Sequence, residues 1–90
     1  MVRLFARHPV ADFAKWLEGY NRYAGFRSDN GVKADAVYQA IDDPNDVTVV
    51  HDFDTPEAAQ AFAANPGLKS AMEELGVAGP PTIWFTRAAN

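Results

Sequence analysis

The order of secondary-structure elements constrains the fold of this chain more than any single motif. Apolar spacing predicts strands over residues 2–8, 34–41, 47–54 and 82–86, with one helix after the first strand and an interrupted helix after the third. A β-α-β-β-α-β order in 90 residues predicts a single α+β domain over residues 1–90. Two helices cover only one face of a four-stranded sheet, so the opposite face needs a partner from elsewhere.

The first helix is predicted from apolar residues spaced three and four apart, beginning at Val10. Pro9 is expected to end the first strand and to occupy the first turn of this helix. The Asp-Asn-Gly run at residues 29–31 is expected to end it. The inner face of the helix is unusually aromatic and contains Phe13, Trp16, Tyr20 and Tyr23.

Local turn and capping residues set the remaining boundaries. The run Asp-Asp-Pro-Asn-Asp at residues 42–46 is expected to join the two middle strands as a five-residue hairpin loop. Thr55 is predicted as the N-cap of the second helix, with Pro56 as its first residue. Asn65 and Pro66 interrupt that helix and can restart it. Prolines at positions 80 and 81 are expected to precede an edge strand.

Strand alternation assigns the side chains to two faces of the sheet. The more apolar set is expected under the helices and contains Leu4, Ala6, His8, Val37, Ile41, Val49, His51, Phe53, Ile83 and Phe85. The second set combines aromatic with polar groups and contains Arg3, Phe5, Arg7, Tyr38, Thr48, Val50, Asp52, Trp84 and Thr86. A solvent-facing sheet rarely exposes so many large apolar groups. The second face therefore predicts a homodimer in which two sheets pack face to face, with Arg7 and Asp52 available to pair across strands.

Composition excludes several classes of function. The net charge is −4 and the eight basic residues are scattered, so neither a nucleic acid nor an anionic membrane is an expected partner. The chain has no cysteine, and it contains neither a long apolar run nor a signal-peptide pattern at its start. These features favour a cytoplasmic location.

Two histidines stand out as candidate catalytic residues. His8 and His51 are expected on the helix-facing side, towards the carboxyl ends of the two central strands, which we take as parallel. Histidine exchanges protons near neutral pH, so either can act as a general acid or base. Phe13, Trp16, Tyr20 and Tyr23 would then line a site for a flat apolar ligand. The alternatives are that the histidines only bond to backbone and that the aromatic stripe is only core.

The same residues make a bound metal or organic cofactor unexpected. His8 and His51 lack the sequence spacing of metal ligands, and Asp52 points to the opposite face of the sheet from His51. None of the glycines forms a phosphate-binding loop. We therefore expect no metal and no cofactor.

The chain resembles the dimeric α/β-barrel superfamily, and most closely its small cyclase-like and antibiotic-biosynthesis-monooxygenase-like members. The resemblance rests on HPVADFAKW at residues 8–16, DDPN at residues 42–45 and VAGPP at residues 77–81. It implies a ferredoxin-like subunit with a four-stranded antiparallel sheet, pairing into a dimeric barrel. Members include cofactor-free monooxygenases, polyketide cyclases, lactone isomerases, heme-handling proteins and stress proteins.

Three functional hypotheses follow from the residues and the resemblance. The first is a cofactor-free cyclase, isomerase or monooxygenase that binds a small apolar or aromatic, polyketide-like molecule between the first helix and the sheet. The second is a non-catalytic binding or stress-type barrel with the same pocket. The third is a structural homodimer whose aromatic residues are only core.

Overall fold

Eight elements make up the fold in the computed structural model, which describes residues 1–90. They are β1 (Val2–Pro9), α1 (Phe13–Arg22), α2 (Ala24–Asp29), β2 (Ala34–Ala40), β3 (Asp43–Phe53), α3 (Pro56–Ala63), α4 (Pro66–Glu74) and β4 (Thr82–Arg87). The sheet order is β2-β3-β1-β4 and every neighbouring pair is antiparallel. The predicted α+β class and ferredoxin-like topology are therefore confirmed. No helix is both long and apolar enough to span a membrane.

The sheet has one covered face and one open face, as strand alternation predicts. The helices bury the covered face, where Leu4, His8, His51 and Phe53 lie. Ile41 and Phe85 are exceptions, because Ile41 lies fully exposed in the turn after β2 and Phe85, on the edge strand β4, is 41 % exposed. The open face carries two ion pairs, Arg3 with Asp52 and Arg7 with Asp46, so the expected pairing of Arg7 with Asp52 is wrong.

The first helix begins three residues later than the sequence predicts. Pro9 is the last residue of β1 rather than a helix residue, and Asp12 is the N-cap of α1, accepting from the backbone N–H of Lys15 at 3.2 Å. The intervening residues stay extended because they pair with the segment after α4. The N–H of Ala78 donates to the carbonyl of Pro9 at 2.9 Å, and Val10 bridges Val77.

The aromatic helix is also divided in two at Tyr23. The carbonyl of Tyr20 accepts from the N–H of Tyr23 at 3.1 Å and from Nη1 of Arg27 at 2.6 Å. In a regular α-helix the Tyr20 carbonyl would accept from the N–H four residues later. Here the N–H of Tyr23, three residues later, and the guanidinium of Arg27 take that place. The division lets α2 turn, and α2 ends before Gly31 at a positive φ of 93°. This confirms the stop predicted for residues 29–31.

The hairpin is tighter than predicted. Only Ile41 and Asp42 separate β2 from β3, and residues 43–46 belong to β3 rather than to a loop. The register shifts between Gln39 and Ala40, which leaves Pro44 in a bulge where its missing N–H breaks no ladder bond. Val37 still faces the helices, because it pairs with Val49.

Capping signals in the second half are confirmed. The Thr55 hydroxyl accepts from the N–H of Ala58 at 3.1 Å at the start of α3. The Asn65 side chain accepts from the N–H of Gly67 at 2.8 Å at the start of α4. β4 follows the two prolines as an edge strand. These elements bring α4 alongside α1, where a Cβ at Gly19 would overlap the side chain of Leu75.

Candidate functional site

A small apolar cavity lies between the covered face of the sheet and the helices. Its volume is about 60 Å³, and 13 of its 16 lining residues are hydrophobic. The sheet supplies Leu4, Ala6, His8, Val49, His51 and Ile83. The helices supply Trp16, Tyr20, Phe26, Arg27, Phe62, Leu68, Ala71 and Met72, and the two cap residues Tyr23, between α1 and α2, and Leu75, after α4, lie beside them. Both predicted histidines and three of the four predicted aromatic residues therefore line one cavity.

His51 is one of the two buried histidines that line the cavity. It is only 4 % exposed, and burial, followed by the nearby Arg27 charge, lowers its pKa to about 4. The ring is therefore neutral at neutral pH. Its Nε2 lies 2.9 Å from the hydroxyl of Tyr20, whereas its Nδ1 is buried without a hydrogen-bond partner. A buried polar atom without a partner is rare and calls for an explanation.

Tyr20 connects His51 to charged groups at the sheet edge. Its hydroxyl also lies 2.9 Å from Oδ2 of Asp35, which is the cross-strand neighbour of His51. Burial raises the pKa of Tyr20. The guanidinium of Arg27 lies 3.6 Å from the centre of the Tyr20 ring, and its Nε is 3.7 Å from Oδ2 of Asp35. Four side chains from α1, α2, β2 and β3 thus form one contiguous polar cluster at the cavity wall.

His8 lies at the other end of the cavity, contrary to the expectation that the histidines sit together. The central strands are antiparallel, and His8 pairs with Val47 whereas His51 pairs with Leu4. Four residues of strand, roughly 13 Å, separate the two positions. Burial lowers the pKa of His8, and its Nδ1 also lacks a partner. The two rings therefore do not form a dyad.

Trp16 and Tyr20 fill the distance between the histidines. The ring centres of His8 and Trp16 are 5.7 Å apart, those of Trp16 and Tyr20 are 4.9 Å apart, and those of Tyr20 and His51 are 6.1 Å apart. Tyr20 follows Trp16 by four residues on α1, which stacks the two side chains on the same face of the helix. The result is a continuous aromatic wall along the cavity.

The other two predicted aromatic residues play lesser parts. Tyr23 lines the cavity with its ring, but its hydroxyl donates to Glu74 of α4 at 2.6 Å, and this bond raises the pKa of Tyr23. Phe13 lies outside the cavity lining and packs beside Trp16, with ring centres 5.9 Å apart. Phe13 therefore supports Trp16 instead of facing a ligand.

Sequence reasoning missed Arg27 and Asp35. Arg27 follows Tyr20 by seven residues, a spacing that would place both on one face of the single helix predicted from the sequence, although the structure divides that helix at Tyr23. Asp35 alternates with Val37 along β2 and so shares its face, but its contact with Tyr20 depends on how α1 packs. No group of three histidine or carboxylate side chains is placed to hold a metal ion.

Comparisons with known proteins show solved structures with a similar fold. No family model matches the chain, and no curated protein matches it. Solved structures do match. A proposed antibiotic biosynthesis monooxygenase from Bordetella bronchiseptica has a TM-score of 0.84 at 17 % identity, over 99 % of this chain and 97 % of its own. A second such protein, from Nitrosomonas europaea, has a TM-score of 0.76 at 14 % identity, over the whole of both chains.

One of the matching structures carries a described chemistry. SnoaB from Streptomyces nogalater, a cofactor-independent oxygenase, has a TM-score of 0.78 at 18 % identity, over 99 % of this chain and 93 % of its own. At such identities the likeness is one of fold. The neighbours named as antibiotic biosynthesis monooxygenases or as an oxygenase share the fold of this chain, which confirms the ferredoxin-like fold that the resemblance implies.

Proposed function

We propose, from the premise that this chain shares its fold with antibiotic-biosynthesis-monooxygenase-type proteins, that it is a homodimeric, cofactor-independent enzyme acting on a small aromatic molecule. The ligand would occupy the cavity between α1 and the sheet, with Trp16 and Tyr20 against its flat face. His51 would exchange a proton with it. Monooxygenation is the favoured reaction, because the structure neighbours include an oxygenase that needs no cofactor.

The observation that carries this proposal is the free Nδ1 of His51. Like the Nδ1 of His8, it has no hydrogen-bond partner; it belongs to a neutral, buried imidazole and can accept a proton in surroundings that otherwise favour flat hydrocarbon. An acidic O–H or C–H of the ligand can pass its proton to that nitrogen: the bond to hydrogen breaks, an N–H bond forms, and the ligand becomes an anion. Dioxygen, as co-substrate, would add to a ring carbon of this anion to give a peroxide, which His51 protonates by returning its proton. Loss of the hydrogen on that carbon then breaks the O–O bond, so that one oxygen atom stays as a new carbonyl, the other leaves as water, and the ligand itself supplies the electrons as it becomes a quinone.

The size of the cavity adds a condition. Pockets for drug-sized ligands are typically about 300–1,000 Å³, whereas this cavity is about 60 Å³. Entry of an aromatic molecule therefore requires side chains to move. Leu68, Met72 and Leu75, on and just after α4, are the flexible aliphatic part of the lining opposite the sheet. We expect them to yield, since Met in particular adapts its shape at low cost.

Homodimerisation is proposed from the open face. Phe5 and Trp84 stack with ring centres 5.1 Å apart and planes 2° apart, and Tyr38 and Trp84 are exposed in the subunit. Arg3 and Arg7 flank these rings with their carboxylate partners. An apolar centre with a polar rim is the usual anatomy of a protein interface. A cytoplasmic location stays a prediction.

The test uses naphthol and a dihydroxynaphthalene as probes, with the two histidines compared by NMR. Binding in the cavity should move the imidazole signals of His51, and oxygen uptake should accompany turnover. His51→Gln should lower turnover by about 10²–10⁴-fold, whereas His8→Gln should affect it far less. Binding without oxygen uptake or product would favour the non-catalytic alternative. Probes that leave His51 unmoved would refute the site.

A further inference from the structure

The Tyr20 hydroxyl lies between Asp35 and His51 but has a single proton, so it can donate a hydrogen bond to only one of them. It is 2.9 Å from Oδ2 of Asp35 and 2.9 Å from Nε2 of His51. An ionised carboxylate only accepts hydrogen bonds, so the contact with Asp35 uses the hydroxyl proton. The hydroxyl oxygen is then left to accept, and the only donor His51 can offer it is an N–H at Nε2. A neutral imidazole has one such N–H, which leaves Nδ1 bare.

We propose that Tyr20, Asp35 and Arg27 are positioning residues that hold His51 in its Nε2–H tautomer, so that the lone pair stays on Nδ1, the ring nitrogen left without a partner for a molecule that opens the cavity beside it. For the bound molecule this rests on the proposed function, but the tautomer itself belongs to the free protein. The consequence is a rule of specificity. The site selects a ligand that donates a hydrogen bond at this point and disfavours one that can only accept.

Arg27 keeps the carboxylate in place. Its guanidinium is buried, its Nη1 donates to the Tyr20 carbonyl at 2.6 Å, and it lies over the Tyr20 ring. Its Nε faces Oδ2 of Asp35 at 3.7 Å, and this is the oxygen that contacts the Tyr20 hydroxyl. One cation therefore orients both the ring and its acceptor. Burial, followed by the positive charge of Arg27, lowers the pKa of His51 against the opposite effect of Asp35 and Asp52, and this keeps the resting imidazole neutral.

Tyr20 and Asp35 stabilise His51 after it takes up a proton, whereas the charge of Arg27 opposes that proton. When Nδ1 gains a hydrogen, the Nε2–H becomes a stronger donor to Tyr20, and the hydroxyl of Tyr20 donates more strongly to Asp35. Charge-assisted bonds of this kind are about twice as strong as neutral ones. No proton needs to leave the imidazole for this stabilisation. His8 has no side-chain hydrogen bond of this type, so it serves as an internal reference.

The experiment reads the tautomer directly from imidazole ¹⁵N shifts in the ligand-free, labelled protein. In the wild type we expect His51 to show a protonated Nε2 and an unprotonated Nδ1. In Asp35→Ala the Tyr20 hydroxyl loses its acceptor and can donate its hydrogen bond to Nε2 of His51. The imidazole proton should then move to Nδ1. Asp35→Asn should preserve the wild-type tautomer, because an amide oxygen facing Arg27 still accepts from Tyr20.

Two tyrosine variants complete the design. Tyr20→Phe removes the acceptor of Nε2–H and should yield a mixture of tautomers. Tyr23→Phe is the matched control, since its lost hydroxyl contacts Glu74, and it should leave His51 unchanged. A wild-type His51 protonated at Nδ1, or an Asp35→Ala variant identical to wild type, would overturn the proposal. Because no ligand is added, these results are independent of whether the naphthol probes bind.

Discussion

The two faces of the sheet are built from the same strands and differ in what completes them. On the covered face Phe53 is fully buried, and it packs on Phe62 with ring centres 5.5 Å apart. On the open face Phe5 packs on Trp84, which is 40 % exposed. The covered face finds its partners within the chain, through α1 to α4. The open face carries aromatic residues of the same kind with none of the chain's helices over them.

This difference teaches that apolar content alone does not define a core. On both faces the side chains are those that strand alternation predicts, and each face has a phenylalanine on a central strand. The covered face has no charged side chains among its innermost residues, whereas Arg3 and Arg7 border the aromatic pair on the open face. Charged borders suit a surface that meets another surface, because they remain solvated at its rim. The first face is a folding core and the second is a proposed association surface.

The largest expected effect separates the two faces by one substitution made on each. Phe53→Ala should lower the free energy of unfolding by about 3–5 kcal/mol, since it leaves a cavity under the helices. Phe5→Ala, on the other central strand, should cost the isolated subunit much less. Denaturant unfolding at several protein concentrations measures both, and only the Phe5 variant should show an effect that depends on concentration. Equal losses at every concentration would contradict the distinction.

The second prediction concerns association itself. Trp84→Ala should weaken the dimer by about 1.5–3 kcal/mol per subunit, the value of burying one large apolar side chain. Trp16→Ala is the control, because Trp16 is 3 % exposed and packs inside the subunit. Its cost should appear in subunit stability. Sedimentation over a range of concentrations gives the dissociation constants, and a wild type that stays monomeric at high concentration would remove the dimer.

How much of this was visible in the sequence depends on the range of the interactions. Thr55 and Asn65 cap helices through bonds two or three residues long, and such signals can be read locally. Pro9 was misplaced because residues 9–11 stay extended by pairing with residues 76–78, a contact across most of the chain. The hairpin loop is shorter than the sequence predicts because Pro44 lies in a bulge of β3 and not in the loop. The strand residues that line the cavity can be predicted because strand alternation places them on the helix-facing side. The contact between Arg27 and Asp35 cannot, because it depends on how α2 packs beside β2.

A third prediction concerns the pH dependence of stability that arises from the covered face, where His51 is buried. The pKa of His51 is about 4 in the fold against an ordinary value of 6.5, so between these values the unfolded chain binds more protons. Stability should therefore fall as pH drops from about 6.5 towards 4, by about 2 kcal/mol at pH 5 for this residue. His51→Gln should flatten that slope in urea unfolding measured from pH 7 to pH 4.5. A variant that keeps the full wild-type slope would show that His51 is not its source.

The smallest effect is expected from the ion pairs of the open face. Arg3 and Arg7 lower the pKa values of Asp52 and Asp46, so the stability they supply is present above the ordinary carboxyl pKa and is lost as pH falls through the lowered values. Arg7→Ala should shift the melting temperature of the monomer only slightly, and the shift should vanish at high salt because exposed pairs are screened. A large, salt-independent loss would mean that this pair belongs to the core.

The contact between Gly19 and Leu75 has a consequence for how the interior could be re-engineered. Leu75 lines the cavity, and its side chain occupies the space that a Cβ at residue 19 of α1 would need. The internal volume is thus adjustable from a residue that does not line it. A library that varies position 19 together with position 75 would change the capacity of the interior while every aromatic and titratable group stays as it is. If the proposed function holds, the size range of ligands would change while His51 and Tyr20 stay in place.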